Sequence, residues 1–242
     1  RGERPAASIT HEWQVVDDIR DHMLYFLENH DEQRIASDFF CGSAMKAIPA
    51  AAMSLFFQKN PFMLYSGQEF GEKGMDKEGF SGRDGRTTIF DYWSPETLTH
   101  AYQEGEEEAY TAEQKYLAAT YRQLLRLANE EKALREGDTF DLMYVNPGSE
   151  GFDPRTNFAF LRKKDNEVML IVLNFAQEAR QLQVCIPGHA FDFFQITEEE
   201  VLVTELFSGG KKKVELKRDG VFPILMDANG VRIYKFNVKM EE

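Results

Sequence analysis

Two uninterrupted apolar runs restrict the fold of the first half of this chain more than any other feature. Residues 23–27 and 61–65 contain no charged side chain, and such runs are typical of strands that are covered on both faces in a parallel sheet. Between them, residues 43–57 are apolar on nearly every side, which predicts a helix that packs against several neighbours. Pro49 predicts a kink or a late start in that helix. The order strand, helix, strand indicates an α/β fold for this half.

A well-marked helix is predicted after a long segment rich in Gly, Asp and Arg. Thr111 and Gln114 have the spacing of a capping box, and Gly137 after Arg135 supplies a stop signal. The apolar stripe of this helix consists of Leu117, Tyr121, Leu124, Leu125 and Ala128. Upstream, residues 11–20 are predicted to be the end of another helix.

The second half of the chain has a different pattern. From about residue 138, short runs rich in β-branched and aromatic residues alternate with turn signals. The runs are 158–161, 168–173, 182–186, 201–207 and 231–238, and the turn signals are Lys164-Asp165-Asn166, Gly209-Gly210, Asp219-Gly220 and Asn229-Gly230. This spacing predicts an antiparallel β-sandwich of about 105 residues.

Composition argues against several functional classes. The 242 residues include 28 Lys and Arg against 41 Asp and Glu, a net charge of −13 at pH 7, whereas nucleic-acid binding depends on clustered cations. The one notable basic run, Lys211-Lys212-Lys213, predicts a solvated turn. No apolar stretch approaches the roughly 18 residues of a membrane span, so the chain as given is predicted to be soluble. Cys41 and Cys185 match no metal or disulfide-framework spacing, although one bridge stays open.

Polar residues follow the first apolar run directly, from Glu28 to Arg34. Because the carboxyl ends of parallel strands are where loops gather and ligands bind, a cluster at this place is favoured for function. A carboxylate stabilises a developing cation, and an imidazole beside it donates to a hydroxyl-rich substrate. On composition alone, a solvated loop with helix-capping carboxylates is an equal alternative.

Two motifs in this half resemble those of a known family. Residues 26–31 resemble the strand-seven motif of the α-amylase family (glycoside hydrolase family 13), in which Asn or a similar residue, His and Asp follow an apolar strand. Residues 60–71 are similar to its strand-eight signature, usually Pro, apolar residues and Tyr-Tyr-Gly-x-Glu. Both motifs occur in the family's order and separation, and a capped helix and a predicted sandwich follow them.

The resemblance implies both a fold and an activity. Residues 1–137 would be the C-terminal portion of a (β/α)8 TIM barrel, about strands seven and eight with their helices. Residues 138–242 would be the antiparallel β-sandwich, which makes the chain α/β plus all-β. Family members cleave or transfer α-glucosidic bonds with retention of configuration, so the implied partner is an α-glucan such as starch, glycogen or a maltooligosaccharide.

The resemblance also implies site residues. Asp31 matches the carboxylate that stabilises the oxocarbenium-like transition state, and His30 matches the histidine that hydrogen-bonds sugar hydroxyls. An acceptor held against the 2- and 3-hydroxyls strengthens its contact as positive charge develops on the ring. Asn29 and Arg34 are expected to contact substrate as well.

The loop over residues 79–93 mixes glycines with Arg, Asp and aromatic residues, and it is expected to border the substrate cleft. Tyr92 and Trp93 are candidate stacking residues for a sugar ring, with anchoring of the loop to the barrel as the alternative. The carboxylates that would supply a calcium site here are Asp76, Glu78 and Asp84. Their spacing follows no recognisable calcium loop, so no metal ligand is assigned and calcium stays an alternative.

The chain departs from the family pattern in what it lacks. The nucleophile and the acid/base carboxylate of the family follow strands four and five, and neither strand is present, so the chain alone is expected to be inactive. None of the other carboxylates in these segments is expected to act as the nucleophile: Glu28, Glu32, Glu69 and Glu72. Uncovered barrel edges are expected to promote self-association. Arg1 is not an initiator Met, so a processed or truncated chain is expected and localisation cannot be read.

Three functions remain to be compared. An α-glucan hydrolase or a transglycosylase of the same family agrees with the intact Asn29-His30-Asp31. A carbohydrate-binding module predicts an exposed Trp or Tyr on the sandwich, and Trp13 and Trp93 both precede residue 138, which counts against it. A non-catalytic amylase-like protein that acts in assembly is the third alternative.

Overall fold

The computed structural model describes residues 2–76, 83–87, 95, 97–99 and 110–239. In the first half, the α-helices are α1 (Ser8–Val15), α2 (Ala47–Phe56), α3 (Ala112–Glu130) and α4 (Lys132–Glu136), and the strands are β1 (Tyr25–Phe26) and β2 (Phe62–Met63). Short 3-10 helices cover Arg20–His22, Ala44–Lys46 and Gln68–Phe70.

The predicted order of strand, helix and parallel strand is confirmed, but the strands are short. β1 and β2 pair in parallel, with Tyr25 opposite Phe62 and Phe26 opposite Met63. The prediction that the first strand is covered on both faces is wrong, since Leu24 is 49% exposed and Phe26 is 43% exposed. The physical reason is that, within the described residues, β2 is the single strand paired with β1.

Helix α2 begins late, as Pro49 predicts. A 3-10 turn covers Ala44–Lys46, and Pro49 is the third residue of α2. At that position the missing proline N–H removes no intrahelical hydrogen bond. Eight of the ten residues of α2 are buried, which confirms a helix packed on several sides. The helix predicted to end at residue 20 instead ends at Val15.

Helix α3 begins as predicted and ends earlier than predicted. The capping box is complete, because Gln114 N donates to Thr111 Oγ1 and Thr111 N donates to Gln114 Oε1. The helix ends at Glu130, Glu131 is extended with φ −80° and ψ 120°, and α4 follows. This break allows the Ala133 N–H at the start of α4 to donate to Glu167 Oε1 at 2.7 Å. Gly137 ends α4 rather than α3.

The second half consists mainly of antiparallel strands. They are β3 (Asp138–Asp141), β4 (Asn157–Lys164), β5 (Glu167–Asn174), β6 (Arg180–Ile186), β7 (Glu199–Glu205), β8 (Lys211–Leu216), β9 (Gly220–Met226) and β10 (Val231–Asn237), with helix α5 (Gly188–Phe194) after β6. Six strands form one sheet in the order β3-β4-β5-β10-β7-β8, and β6 pairs with β9. Three of the five predicted runs lie entirely in strands, and the runs 201–207 and 231–238 extend past the ends of β7 and β10 by two residues and one residue.

The prediction of a turn at Lys211-Lys212-Lys213 is wrong, because these residues begin β8. The three side chains are exposed, and β8 is the last strand of its sheet. Charged side chains on an edge strand discourage pairing with other chains, so a basic run is compatible with a strand at this place. The true turn lies just before it, where Gly209 has φ +71°.

The other predicted turns are confirmed by their backbone angles. Asp165, Asp219 and Asn229 have φ values of 49°, 58° and 46°. Asn and Asp adopt this left-handed region more readily than other residues with a Cβ atom, because their short polar side chains bond locally. Asp165 lies in the turn between the paired strands β4 and β5, whereas Asp219 and Asn229 lie in turns that connect strands of different sheets.

One hydrophobic cluster extends through both halves of the described chain. The ring of Phe57, directly after α2, packs edge-on against Phe158 and Phe160 of β4 at 5.5 and 5.0 Å. Arg162 of β4 is fully buried and donates to three carbonyl oxygens: Phe56 O at 2.6 Å, Leu134 O at 2.9 Å and Gly137 O at 2.7 Å. We call the set of Arg162 and its three acceptor residues, Phe56, Leu134 and Gly137, the junction. The described chain thus has mixed α/β content and a continuous core.

Over the residues that the structure describes, no helix is both long enough and apolar enough to cross a membrane.

Candidate functional site

The loop that follows β1, residues 28–36, is tied at its two ends by a buried ion pair; we call it the site loop. Glu28 is 2% exposed and Arg34 is 0% exposed. Glu28 Oε2 lies 2.9 Å from Arg34 Nε, and Glu28 Oε1 accepts from the Ile35 N–H at 2.7 Å. The residues between this pair are therefore fixed at both ends, although several of them face solvent.

Burial raises the pKa of Glu28 above its ordinary value, whereas Arg34 and the Ile35 N–H favour the charged form and oppose the shift. An isolated charge at this depth would be strongly disfavoured, so each partner makes burial of the other tolerable.

Besides its ion pair with Glu28, Arg34 contacts the segment that follows β2. Its Nη1 donates to Thr87 Oγ1 at 2.8 Å, and its Nη2 donates to Ser66 O at 3.0 Å. Its guanidinium lies 4.7 Å from the centre of the Tyr65 ring. Arg34 thereby connects the site loop to the segment after β2 and to residues 83–87.

Asn29 organises the turn that carries His30 and Asp31. Its Oδ1 accepts from the Asp31 N–H at 2.9 Å and from the Glu32 N–H at 2.8 Å, which is an Asx-type turn. The side chains of His30 and Asp31 are 43% and 68% exposed, and His30 Nε2 lies 3.5 Å from Asp31 Oδ1. The turn thus presents an imidazole and a carboxylate side by side to solvent.

Residues 83–87 support the turn from the other side. Arg86 Nε donates to the Asp31 carbonyl at 2.7 Å, and the Arg34 N–H donates to the Gly85 carbonyl at 2.6 Å. Gly85 has φ +81°, and a Cβ atom built there would lie 2.2 Å from Ser37 Oγ. The close approach of these two segments therefore requires glycine at position 85.

Residues 66–72, which follow β2, connect the site to α3. Gly67 has φ +84°, and a Cβ atom there would lie 3.0 Å from Glu72 Cβ. Gln68 Nε2 donates to the Tyr121 hydroxyl at 2.8 Å, and burial raises the pKa of that hydroxyl. Glu72 is also buried and accepts from the Gly74 N–H at 2.8 Å.

The residues proposed from sequence separate into three groups. Asn29, His30 and Asp31 come together in one turn. Arg34 lies beneath this turn and is closed to solvent. Tyr92 and Trp93 lie outside the described residues.

Glu78, one of the carboxylates of the calcium hypothesis, also lies outside the described residues. Within them, no group of three or more His, Cys, Asp or Glu side chains is arranged to hold a metal ion.

Two supports of the site were not found from sequence. The Glu28–Arg34 pair needs the folded loop to bring its members together, and residue spacing alone does not distinguish it from two solvated charges. Arg86 and Gly85 lie in a loop of polar composition, and nothing in that composition indicates a bond to the Asp31 carbonyl.

Comparison with solved structures identifies the fold. The chain is similar to AmyP in complex with maltose, with TM-score 0.65, 15% identity and coverage of 96% of this chain and 44% of that chain. It is similar to an α-amylase from Geobacillus thermoleovorans complexed with acarbose, with TM-score 0.61, 17% identity and coverage of 98% and 46%. A trehalulose synthase mutant in complex with Tris gives TM-score 0.59, 18% identity and coverage of 96% and 47%.

These similarities confirm the resemblance to the α-amylase family at the level of fold. The chain spans less than half the length of each of these three proteins, as a C-terminal part of such a protein would. No protein-family model matches the chain, and no curated protein matches it.

Proposed function

We propose that this chain is the C-terminal part of an α-amylase-like retaining glycoside hydrolase that acts on α-glucans such as starch, glycogen or maltooligosaccharides. The exposed Asn29-His30-Asp31 turn, held by the buried Glu28–Arg34 pair at the end of β1, is the observation that carries the proposal. The fold similarity supports it, and AmyP, one of the similar proteins, was crystallised with maltose.

The proposal assigns residues 1–137 to the end of a (β/α)8 barrel and residues 138–242 to an antiparallel β-sandwich. The parallel β1–β2 pair, separated by α2, supports the first part, and the antiparallel strands β3 to β10 support the second. The nucleophile and the acid/base carboxylate then come from barrel strands outside this chain, and the chain alone is inactive.

Within the site, the proposed roles follow from exposure and hydrogen bonding. Asp31 binds the sugar hydroxyls and stabilises the positive charge that develops on the ring, and His30 donates to a neighbouring hydroxyl. Asn29 holds the turn rather than contacting the sugar with its Oδ1, because that oxygen already accepts two backbone N–H groups. Arg34 positions the loop from below, while Tyr92 and Trp93 remain proposed stacking residues.

Transfer of a glucosyl unit to another sugar is the alternative reaction, and the fold similarity to a trehalulose synthase favours keeping it. Both reactions use the same stabilising carboxylate, so product analysis of the whole protein on maltooligosaccharides decides between them. A non-catalytic amylase-like carbohydrate-binding protein is the second alternative.

The test is an assay of the complete parent protein on maltooligosaccharides and starch, with and without Asp31→Asn. Loss of a group that acts on transition-state charge is expected to lower kcat by about 100-fold or more. Asp38→Asn is the matched control, because Asp38 is also exposed and is close in sequence. Full activity of Asp31→Asn would exclude the proposed role of Asp31.

We also propose that the isolated chain associates with a second copy through the region around β1. Val15, Ile19, Leu24 and Phe26 are 43–60% exposed there, and exposed apolar side chains of this size favour association. Light scattering should detect a concentration-dependent mass that Phe26→Glu reduces, and a monomer at high concentration would contradict the proposal.

A further inference from the structure

The second half of the chain presents an aromatic surface that the proposed catalytic site does not use. Tyr144 is 58% exposed and Phe193 is 55% exposed. Phe140 lies between them, with ring centres 6.2 Å from Tyr144 and 5.5 Å from Phe193. Large aromatic side chains are normally buried, so two neighbouring exposed rings indicate a contact surface.

A polar cleft lies directly beside Tyr144. Its volume is about 420 Å³, and its other walls include His189, Asp192, Arg218 and Asp219. The His189 ring is nearly parallel to the Tyr144 ring, at 18° and 6.3 Å between centres, and the Tyr144 hydroxyl lies 3.3 Å from His189 Nδ1. We call this site, which Gly188 also lines, the aromatic cleft.

The charged groups of the aromatic cleft are held in place before any ligand arrives. Arg218 Nη2 donates to Asp192 Oδ1 at 2.6 Å, and its guanidinium lies 5.5 Å from the centre of the Phe191 ring. Asp219 Oδ1 accepts from the Gly188 N–H at 3.0 Å. Planar polar groups that are fixed in this way lose little conformational entropy on binding.

We propose that the aromatic cleft binds an α-glucan at a site separate from the site loop. A glucose unit has an apolar C–H face that packs on an aromatic ring and a rim of hydroxyls that pair with carboxylates, guanidinium and imidazole. Two carboxylates against one guanidinium make the cleft unfavourable for a phosphate ligand. The ligand class rests on the proposed function, whereas the site itself rests on these residues.

This proposal reverses one inference from sequence. Counting tryptophans argued against a carbohydrate-binding surface in the second half, because Trp13 and Trp93 both precede residue 138. The structure instead exposes a tyrosine, Tyr144, in the segment after β3. An α-glucan held there would stay close to the enzyme between successive cleavages, which raises its effective concentration at the catalytic site.

The experiment is an NMR titration of the 242-residue chain with maltoheptaose, in which the backbone amide of Gly188 is the reporter. We expect this amide to shift, and Tyr144→Ala to weaken binding about tenfold through loss of the aromatic face. Tyr144→Phe keeps the ring and should keep most of the affinity. Tyr116→Ala is the matched control, because Tyr116 is also 58% exposed but lies on α3.

The outcomes separate this proposal from the proposed function. An unchanged Gly188 amide in the original chain, or equal affinity of Tyr144→Ala and the original chain, overturns the aromatic cleft. Asp31→Asn should leave the Gly188 shift intact, since Asp31 does not line the cleft. Unaltered amide spectra away from residue 144 show that Tyr144→Ala is folded, and the assay of Asp31→Asn in the whole protein tests catalysis independently.

Discussion

The site loop and the junction each contain a fully buried arginine, and the two are held by different partners. Arg34 pairs with the buried carboxylate of Glu28. Arg162 donates to three neutral carbonyl oxygens. Two of these belong to the C-terminal turns of helices, Phe56 of α2 and Leu134 of α4, where the carbonyl groups carry partial negative charge.

The burial of the two arginines is compensated in different ways. At the junction, burial lowers the pKa of Arg162 to about 10, the charge of Asp138 opposes this shift, and backbone carbonyls accept its hydrogen bonds. In the site loop, a full ion pair fixes a turn that has little hydrophobic core of its own. We infer that Arg162 joins the two halves of the chain, whereas Arg34 holds a few residues in a functional geometry.

The largest expected effect is that of Glu28→Leu. Removal of the carboxylate leaves the buried Arg34 guanidinium without a counter-charge, which costs about 3–5 kcal/mol of unfolding free energy. Urea denaturation of the 242-residue chain measures this loss. Glu28→Gln is the control: it also removes the charge, but its amide oxygen still accepts from the Ile35 N–H, so it should cost less by about the worth of one hydrogen bond. A loss below about 1 kcal/mol in both variants would contradict a role for the charge.

Arg162→Met is expected to have the next largest effect. It leaves three buried carbonyl groups unpaired, but it also removes the cost of burying a charge, so about 2–3 kcal/mol of unfolding free energy is lost. Arg126→Met is a control with an exposed arginine and should change stability by less than about 0.5 kcal/mol.

Hydrogen exchange distinguishes the effect of Glu28→Leu from that of Arg162→Met. Glu28→Leu should increase exchange selectively at the Asp31 and Glu32 amides, because it releases the site loop. Arg162→Met should increase exchange across both halves, because it weakens their connection. The same exchange pattern in both variants would show that the two arginines do not have separate roles.

Gly85→Ala tests the site loop from its other side. The added Cβ atom would meet Ser37 Oγ at 2.2 Å in a backbone with φ +81°, so we expect a loss of about 1–3 kcal/mol. Because residues 83–87 hold the Asp31 carbonyl through Arg86, the whole protein should also lose activity. Gly148→Ala is the control, since its Cβ atom would meet nothing within 4 Å. A stable variant with unchanged activity would show that this contact is dispensable.

Local signals in the sequence predicted many individual helices, strands and turns, whereas long-range contacts were not predictable. Thr111 and Gln114 are three residues apart, so their capping box is visible in sequence, and the turns at Asp219 and Asn229 depend on the residue itself. Strand β9 was missed because Pro223 interrupts a run in which Val221 and Leu225 face solvent at 58% and 64% exposure. A proline is tolerated there because β9 pairs on one side with β6 in a two-stranded sheet.

The same distinction applies to the candidate site. The turn residues Asn29, His30 and Asp31 are contiguous, and a motif identifies them. Arg34 belongs to the polar cluster that follows the first apolar run, which predicts contact with substrate, and only the fold places it under the loop. The Arg86 bond to the Asp31 carbonyl joins residues 55 positions apart, and such a contact leaves no trace in a single sequence.

The smallest expected effect concerns Asp141, which connects α1 to β3 near the junction. Asp141 accepts from Thr10 Oγ1 at 2.5 Å and from the Met143 N–H at 2.7 Å, and burial raises its pKa above the ordinary value. A carboxyl with a raised pKa in the folded state contributes stability below its unfolded pKa and loses that contribution as pH rises through the folded pKa.

Asp141→Asn should therefore remove this pH dependence, since the amide Oδ1 can accept from the Met143 N–H and the amide Nδ2 can donate to Thr10 Oγ1 without titrating. The difference in unfolding free energy between variant and original chain should move in favour of the variant from pH 3 to pH 7. Asp18→Asn, at an exposed aspartate away from the junction, is the control for altered net charge. A constant difference across this pH range would mean that burial does not raise the pKa of Asp141 in the folded chain.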